Sequence, residues 1–109
     1  MPLRFHPEAR AELGTAVEWY ERQQLGLGAS LSVEVFSALE LIDEAPDTWP
    51  AWPGVHHAPP IRRFLLTGFP FALPYLVLDE LVVVLAVAHL RRRPGYWLER
   101  ARHLSPFLD

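Results

Sequence analysis

Cysteine is absent from the 109 residues, which removes disulfides, thiolate nucleophiles and cysteine-based zinc sites together. Lysine is absent as well, so every one of the ten basic residues is an arginine. Long apolar runs are missing too. The longest, Leu81 to Ala88, is eight residues against the ~20 that a membrane-spanning helix needs, so no membrane partner is expected. The start, MPLRFHPEAR, has no apolar run after its basic residue and no small-residue cleavage pattern, so no secretory signal is expected and the cytoplasm is the default compartment. There is no glycine-rich phosphate loop, no G-x-S-x-G and no H-E-x-x-H, which sets aside nucleophilic and zinc-hydrolase chemistry. No cofactor is implied.

Half of the residues are hydrophobic and 21% are charged, with 4 Trp, 3 Tyr and 6 Phe, so the chain can bury enough apolar surface to fold. Its length suits a single domain over residues 1–109. The net charge of -3 hides an asymmetry: residues 1–50 carry three Arg and nine acids, residues 51–109 seven Arg and four acids. The basic second half is a candidate surface for an anionic partner.

Pro2 to His6 reads as a short first strand, stopped because Pro7 biases His6 away from helix. A helix is expected from Pro7, with Glu8 at the positive end of its dipole, an apolar face of Ala9, Leu13, Ala16, Val17 and Tyr20, and Glu12, Glu18, Glu21 and Arg22 on the wet face. Gly26 and Gly28 supply a reversal into a second helix with the stripe Leu31, Val35, Ala38, Leu39 and Ile42, ended at Pro46. Two helices joined so briefly predict an antiparallel hairpin. Asp47–Pro60 is a proline-rich loop anchored by Trp49 and Trp52. The segments 61–66, 69–78 and 81–89 follow as a meander of antiparallel strands, and residues 94–103 as a short helical or irregular tail. Pro74 has no N–H to give a ladder, so an edge, a bulge or a late strand start is expected there. The expected fold is thus α+β, β-α-α-β-β-β, with the hairpin packed on a four-stranded antiparallel sheet.

The richest chemistry lies in His89-Leu90-Arg91-Arg92-Arg93-Pro94-Gly95-Tyr96-Trp97. Three consecutive arginines at a strand end suit phosphates or acidic side chains, and Tyr96 and Trp97 suit stacking on a base. Against this stand the simpler roles of an ion-paired strand end and a core plug. Arg62-Arg63 sits near this cluster if the sheet is a simple meander, with only one of the two on any given face. His6, His56, His57 and His89 are spaced unlike metal ligands, and no metal site is expected. The hairpin with Trp49 and Trp52 is a candidate groove for a partner segment, unless those rings cap the chain's own core.

The order of elements, Trp19-Tyr20 late in the first helix, Phe69-Pro70-Phe71 before a strand, and a valine-rich strand running into His89…Arg92-Arg93-Pro94-Gly95-Tyr96-Trp97 resemble the RelE/ParE superfamily of toxins from bacterial type II toxin–antitoxin modules. The resemblance covers nearly the whole chain. It implies a small α+β toxin neutralised by a co-expressed antitoxin, with operator DNA met only through that antitoxin. RelE-like members cleave mRNA on the ribosome with several basic residues and a C-terminal tyrosine, which activate the 2′-hydroxyl and balance phosphorane charge. Carried over, Arg63 and Arg91 occupy two such basic positions, with Arg91 stabilising charge and Tyr96, or Trp97 by a one-residue shift, assisting proton transfer. The other two basic positions fall at Leu65 and Ala72. That depleted set favours the ParE-like branch, which poisons DNA gyrase by binding, and makes Arg63, Arg91, Arg92, Arg93, Tyr96 and Trp97 the expected target contacts. The alternatives are the RelE-like endoribonuclease and a non-toxic co-repressor that only binds antitoxin.

Overall fold

Pro7 starts the first helix because its missing N–H costs nothing at that position, while the His6 imidazole Nδ1 accepts the Glu8 N–H and caps the end. The computed structural model describes residues 2–104. In chain order they form β1 (Leu3–Phe5), α1 (Pro7–Gln23), α2 (Leu27–Glu44), β2 (Arg62–Leu65), β3 (Phe71–Leu78), β4 (Leu81–Val84), β5 (Ala88–His89) and α3 (Leu98–Arg102).

The reversal between α1 and α2 is set by Gly26, whose φ of 91° is open to glycine and strained for other residues. Glu21 then reaches across, its carboxylate accepting the N–H groups of Gly26 (2.8 Å) and Gly28 (3.0 Å), and so supplies the cap that Gly26 lacks. A Cβ on residue 28 would lie 2.5 Å from the Val17 carbonyl oxygen, so the two helices approach as closely as they do only with glycine there. A second glutamate, Glu34, pins α2 to the β2–β3 turn by accepting from Thr67 N (2.6 Å) and Gly68 N.

The sheet runs β1-β4-β3-β2, with β5 pairing β3 beyond the end of β4. The β2–β3 and β3–β4 pairs are antiparallel, as expected. β1 corrects the all-antiparallel expectation, because it lies parallel to β4, with Leu3, Arg4 and Phe5 opposite Val82, Val83 and Val84. Apolar alternation sets which side chains face inward and carries no information on strand direction, and the helical hairpin returns the chain to the sheet without constraining it.

The segment 81–89 is also two strands rather than one. Pro74 sits in the middle of β3 and accepts from Leu85 N at 2.8 Å, but has no N–H to return. The ladder breaks at that point: β4 ends at Val84, and β5 resumes opposite Phe71 and Ala72. The edge, bulge or late start expected in the strand of Pro74 itself is not found, since β3 runs unbroken through it between β2 and β4, and the interruption falls in the neighbouring strand instead. At the other end of β4 the two-residue turn Asp79-Glu80 has positive φ at both positions, 50° and 62°, as a type I′ hairpin requires.

Each face of the sheet is covered. Leu31, Val35, Ala38 and Ile42 of the hairpin pack on Phe71, Leu73, Tyr75, Val82 and Val84. On the opposite face Leu76, Val83 and Leu85 pack with Ile61, Trp97, Ala101 and Leu104, joined by Trp52 from the proline-rich loop. This two-sided cover explains why 81–88 shows no alternation. It also decides the role of the loop tryptophans: Trp49 lies against Phe64 at 4.8 Å and Trp52 against Trp97 at 4.9 Å, so both cap the chain's own core rather than line a groove.

Candidate functional site

β5 delivers the arginine run. His89 pairs with Phe71 in the ladder and sets its ring edge-on to that phenyl at 5.1 Å. Its Nδ1 accepts from Arg91 N and its carbonyl from Arg92 N, closing a turn that leaves Arg91, Arg92 and Arg93 exposed. Gly95, at φ 85°, reverses the chain so that Tyr96 and Trp97 fold back and α3 begins.

The three arginines then differ. Arg92 lies over the Tyr96 ring at 3.7 Å and reaches Glu12 at 3.4 Å. The side chains of Arg91 and Arg93 have no hydrogen bond, ion pair or ring contact among the described residues. Tyr96 donates its hydroxyl to Glu12 at 2.7 Å. Burial, the bond to Glu12 and the charge of that carboxylate all push the phenol well above its ordinary value, so it stays protonated and cannot serve as a base.

Glu12 is the centre of the arrangement. Besides Arg92 and Tyr96 it accepts from Val87 N (3.1 Å) and from both terminal nitrogens of Arg100 (2.9 and 3.0 Å). Arg100 also donates to the Leu85 carbonyl (2.9 Å) and pairs with Glu8 at 3.3 Å. Burial opposes the Arg100 charge, but the bond to Glu12 and the charges of Glu12 and Glu8 outweigh it and raise its value. Neither Glu12 nor Arg100 was singled out from sequence, where Glu12 reads as wet face. The signal was its place one turn from both Ala9 and Ala16, at the border of the apolar stripe. A cavity of about 600 Å³ opens along α1, lined by Glu12, Arg92 and Arg100 of this cluster together with Trp19, Tyr20 and Phe71.

Other expected contacts lie elsewhere. Trp97 is fully buried, so it has no surface to offer a target and serves as a core plug; its indole Nε1 has no partner among the described residues. Arg63 stands over Trp52 at 5.6 Å, on the face away from the hairpin, and no contact joins it to the other arginines. The meander keeps it apart from them, because Arg63 pairs with Pro74 in the middle of β3 while the arginine run leaves the sheet after His89, opposite Phe71 at the start of that strand. Arg62 is committed to the Trp49 carbonyl (2.8 Å) and to Asp47. Leu65 and Ala72 face each other across the β2–β3 ladder, the first exposed and the second fully buried. Among the histidines, His6 is buried as a helix cap, His57 donates to the Pro59 carbonyl at 2.8 Å, and His56 is exposed. Among the described residues no three potential metal ligands come together, and no helix is long and apolar enough to cross a membrane.

No protein-family model matches the sequence, and no curated protein is significantly similar to it. Among solved structures, the chain is similar to one described as "Chromosomal ParDE TA system from P. aeruginosa", with a TM-score of 0.72 and 16% identity over 84% of this chain and 97% of that one. At that identity the likeness is one of fold, and the chain has the ParE-like α+β fold that the sequence resemblance implied.

Proposed function

We propose that the chain is the toxin of a type II toxin–antitoxin module, held inactive by an antitoxin, and that it acts in the ParE manner, inhibiting DNA gyrase by binding. The solved neighbour comes from a toxin–antitoxin system, which supports the toxin role and an antitoxin as partner. The observation that carries the mode of action is the contrast between free and committed groups around β5. Arg91 and Arg93 project without side-chain partners among the described residues, ready for an acidic or phosphate surface, while the tyrosine that RNA cleavage would use is committed elsewhere. The Tyr96 hydroxyl is bound to Glu12, and by the family resemblance Leu65 and Ala72 fall at two positions where such chemistry uses cations. With its tyrosine tied to Glu12 and two of the expected cations absent, this surface is better suited to binding than to cutting.

The test is inducible expression of the chain alone in a bacterium, following growth, RNA integrity and gyrase supercoiling in one culture. Growth arrest with intact RNA and impaired supercoiling is the expected result. Arrest with cleaved messages would overturn the proposal in favour of the nuclease, and unimpeded growth would leave an antitoxin-binding co-repressor.

A further inference from the structure

The turn that carries the arginines closes over a small cavity. Trp52, His89, Arg92, Arg93, Tyr96 and Trp97 stand in its wall, and its volume is about 30 Å³. That is room for one water-sized group and too little for a polyatomic anion. With the long cavity along α1 it shares only His89 and Arg92.

The side chains around it offer donors. Trp97 has no exposed surface, and its Nε1–H is the one buried polar side-chain atom without a partner among the described residues. An indole N–H can only donate, so the group that satisfies it has to be an acceptor. His89 spends the lone pair of Nδ1 on Arg91 N, which places the ring proton on Nε2. The Tyr96 hydroxyl is already engaged with Glu12.

The charge of the wall has one sign as well. Arg92 and Arg93 bring two cations, and no carboxylate lines the cavity. Glu12, which bonds to Arg92 and Tyr96, is not part of the wall, and its oxygens also hold Val87 N and Arg100. The Arg93 side chain is exposed and has no partner among the described residues. A water in this place brings two hydrogens that need acceptors of their own. A monoatomic anion brings none, and its burial is offset by the guanidinium charges.

We propose that this cavity is a site for a single monoatomic anion, chloride in ordinary salt, which accepts from Trp97 Nε1–H and draws on the charges of Arg92 and Arg93. The ion joins the turn after β5 to the residue that precedes α3, and so steadies the segment from which Arg91 projects. Neither the cavity nor its donors depend on the toxin reading.

The test follows thermal unfolding of the intact chain while sodium chloride replaces sodium gluconate at constant ionic strength, so that general screening stays fixed. The melting temperature is expected to climb by several degrees and level off, as binding at one site requires, and bromide is expected to act in the same way. Trp97→Phe keeps an aromatic ring in the core and removes the donor, and its melting temperature is expected to ignore the exchange. If circular dichroism finds that variant unfolded, Arg93→Glu takes its place, with an expected loss of about tenfold or more in chloride affinity from the carboxylate it puts in the wall. A crystal soaked in sodium bromide locates the ion by its anomalous signal, expected beside Trp97 Nε1. A melting temperature that treats chloride and gluconate alike would overturn the proposal. So would a chloride response that survives in folded Trp97→Phe or in Arg93→Glu, or a crystal with water at Trp97 Nε1 and bromide elsewhere.

Discussion

Glu12 of α1 and Arg100 of α3 stand 88 residues apart in sequence and meet as a two-pronged ion pair, each guanidinium nitrogen on its own carboxylate oxygen at 2.9 and 3.0 Å. Both side chains are largely covered, so solvent screens the pair less than it would a surface bridge, and it ties the first helix to the last.

Removing one partner strands the other. Glu12→Ala is expected to cost about 3 kcal/mol in urea unfolding, because Arg100 is left charged and largely covered with only Leu85 O and Glu8 to meet it. Glu12→Met combined with Arg100→Met is expected to cost clearly less than the two single changes added together. Strict additivity would show that the pair is not coupled.

His6 makes stability depend on pH. Burial first, and then the nearby Arg100 charge, lowers its folded value below the usual 6.5. Between the lowered value and 6.5 the unfolded chain binds more protons, so this contribution is complete above 6.5 and is lost as pH falls through the window below it. His6→Asn keeps a capping side chain without the titration. Its thermal midpoint is expected to fall less than that of the parent between neutral and mildly acid pH; equal slopes would refute the assignment.

Trp97 couples packing to an unmet donor. Trp97→Ala is expected to cost about 3–5 kcal/mol through the cavity it leaves. Trp97→Phe also removes the unpartnered indole N–H, whose burial costs about 1–3 kcal/mol, so its loss should be much smaller. Denaturant melts that rank the two equally would mean that the indole nitrogen finds a partner.

At the β3–β4 turn, Asp79 and Glu80 hold positive φ without being glycine. Glu80→Gly is expected to stabilise the protein by about 0.5–1 kcal/mol, since left-handed backbone is free for glycine and strained for glutamate. A lower melting temperature would contradict that.

If the proposed function holds, Arg91 and Arg93 are where function and fold come apart. Replacing both by alanine should shift stability by no more than about 0.5 kcal/mol per site, because their side chains hold nothing within the described residues. Growth arrest on expression should weaken all the same. Arrest at full strength from a folded double variant would move the target contact elsewhere.

Much of this architecture was written in residues whose backbone limits are strict. Pro7, Gly26 and Pro46 bound the two helices where expected, α2 stopping at Glu44, and Pro74 announced a break, which fell in the neighbouring strand. What escaped was information that no local pattern holds. The parallel partner of β1 lies almost eighty positions along the chain, and nothing in Leu-Arg-Phe names it. Of the expected contacts, the exposed arginines could be read because charge seeks water, whereas Trp97 could not, since an aromatic ring is equally at home as a plug or as a platform. Glu12 was missed for the opposite reason. A carboxylate on a helix is usually solvated, and only the arrival of Val87, Arg92, Tyr96 and Arg100 makes this one internal.

The position of those four donors sets a schedule for biosynthesis. Glu12 leaves the ribosome early, but every group that satisfies it is translated after residue 86. A nascent chain that has released only the segments of α1 and α2 therefore holds Glu12 with none of these donors, and the network closes only once the segment of α3 has followed.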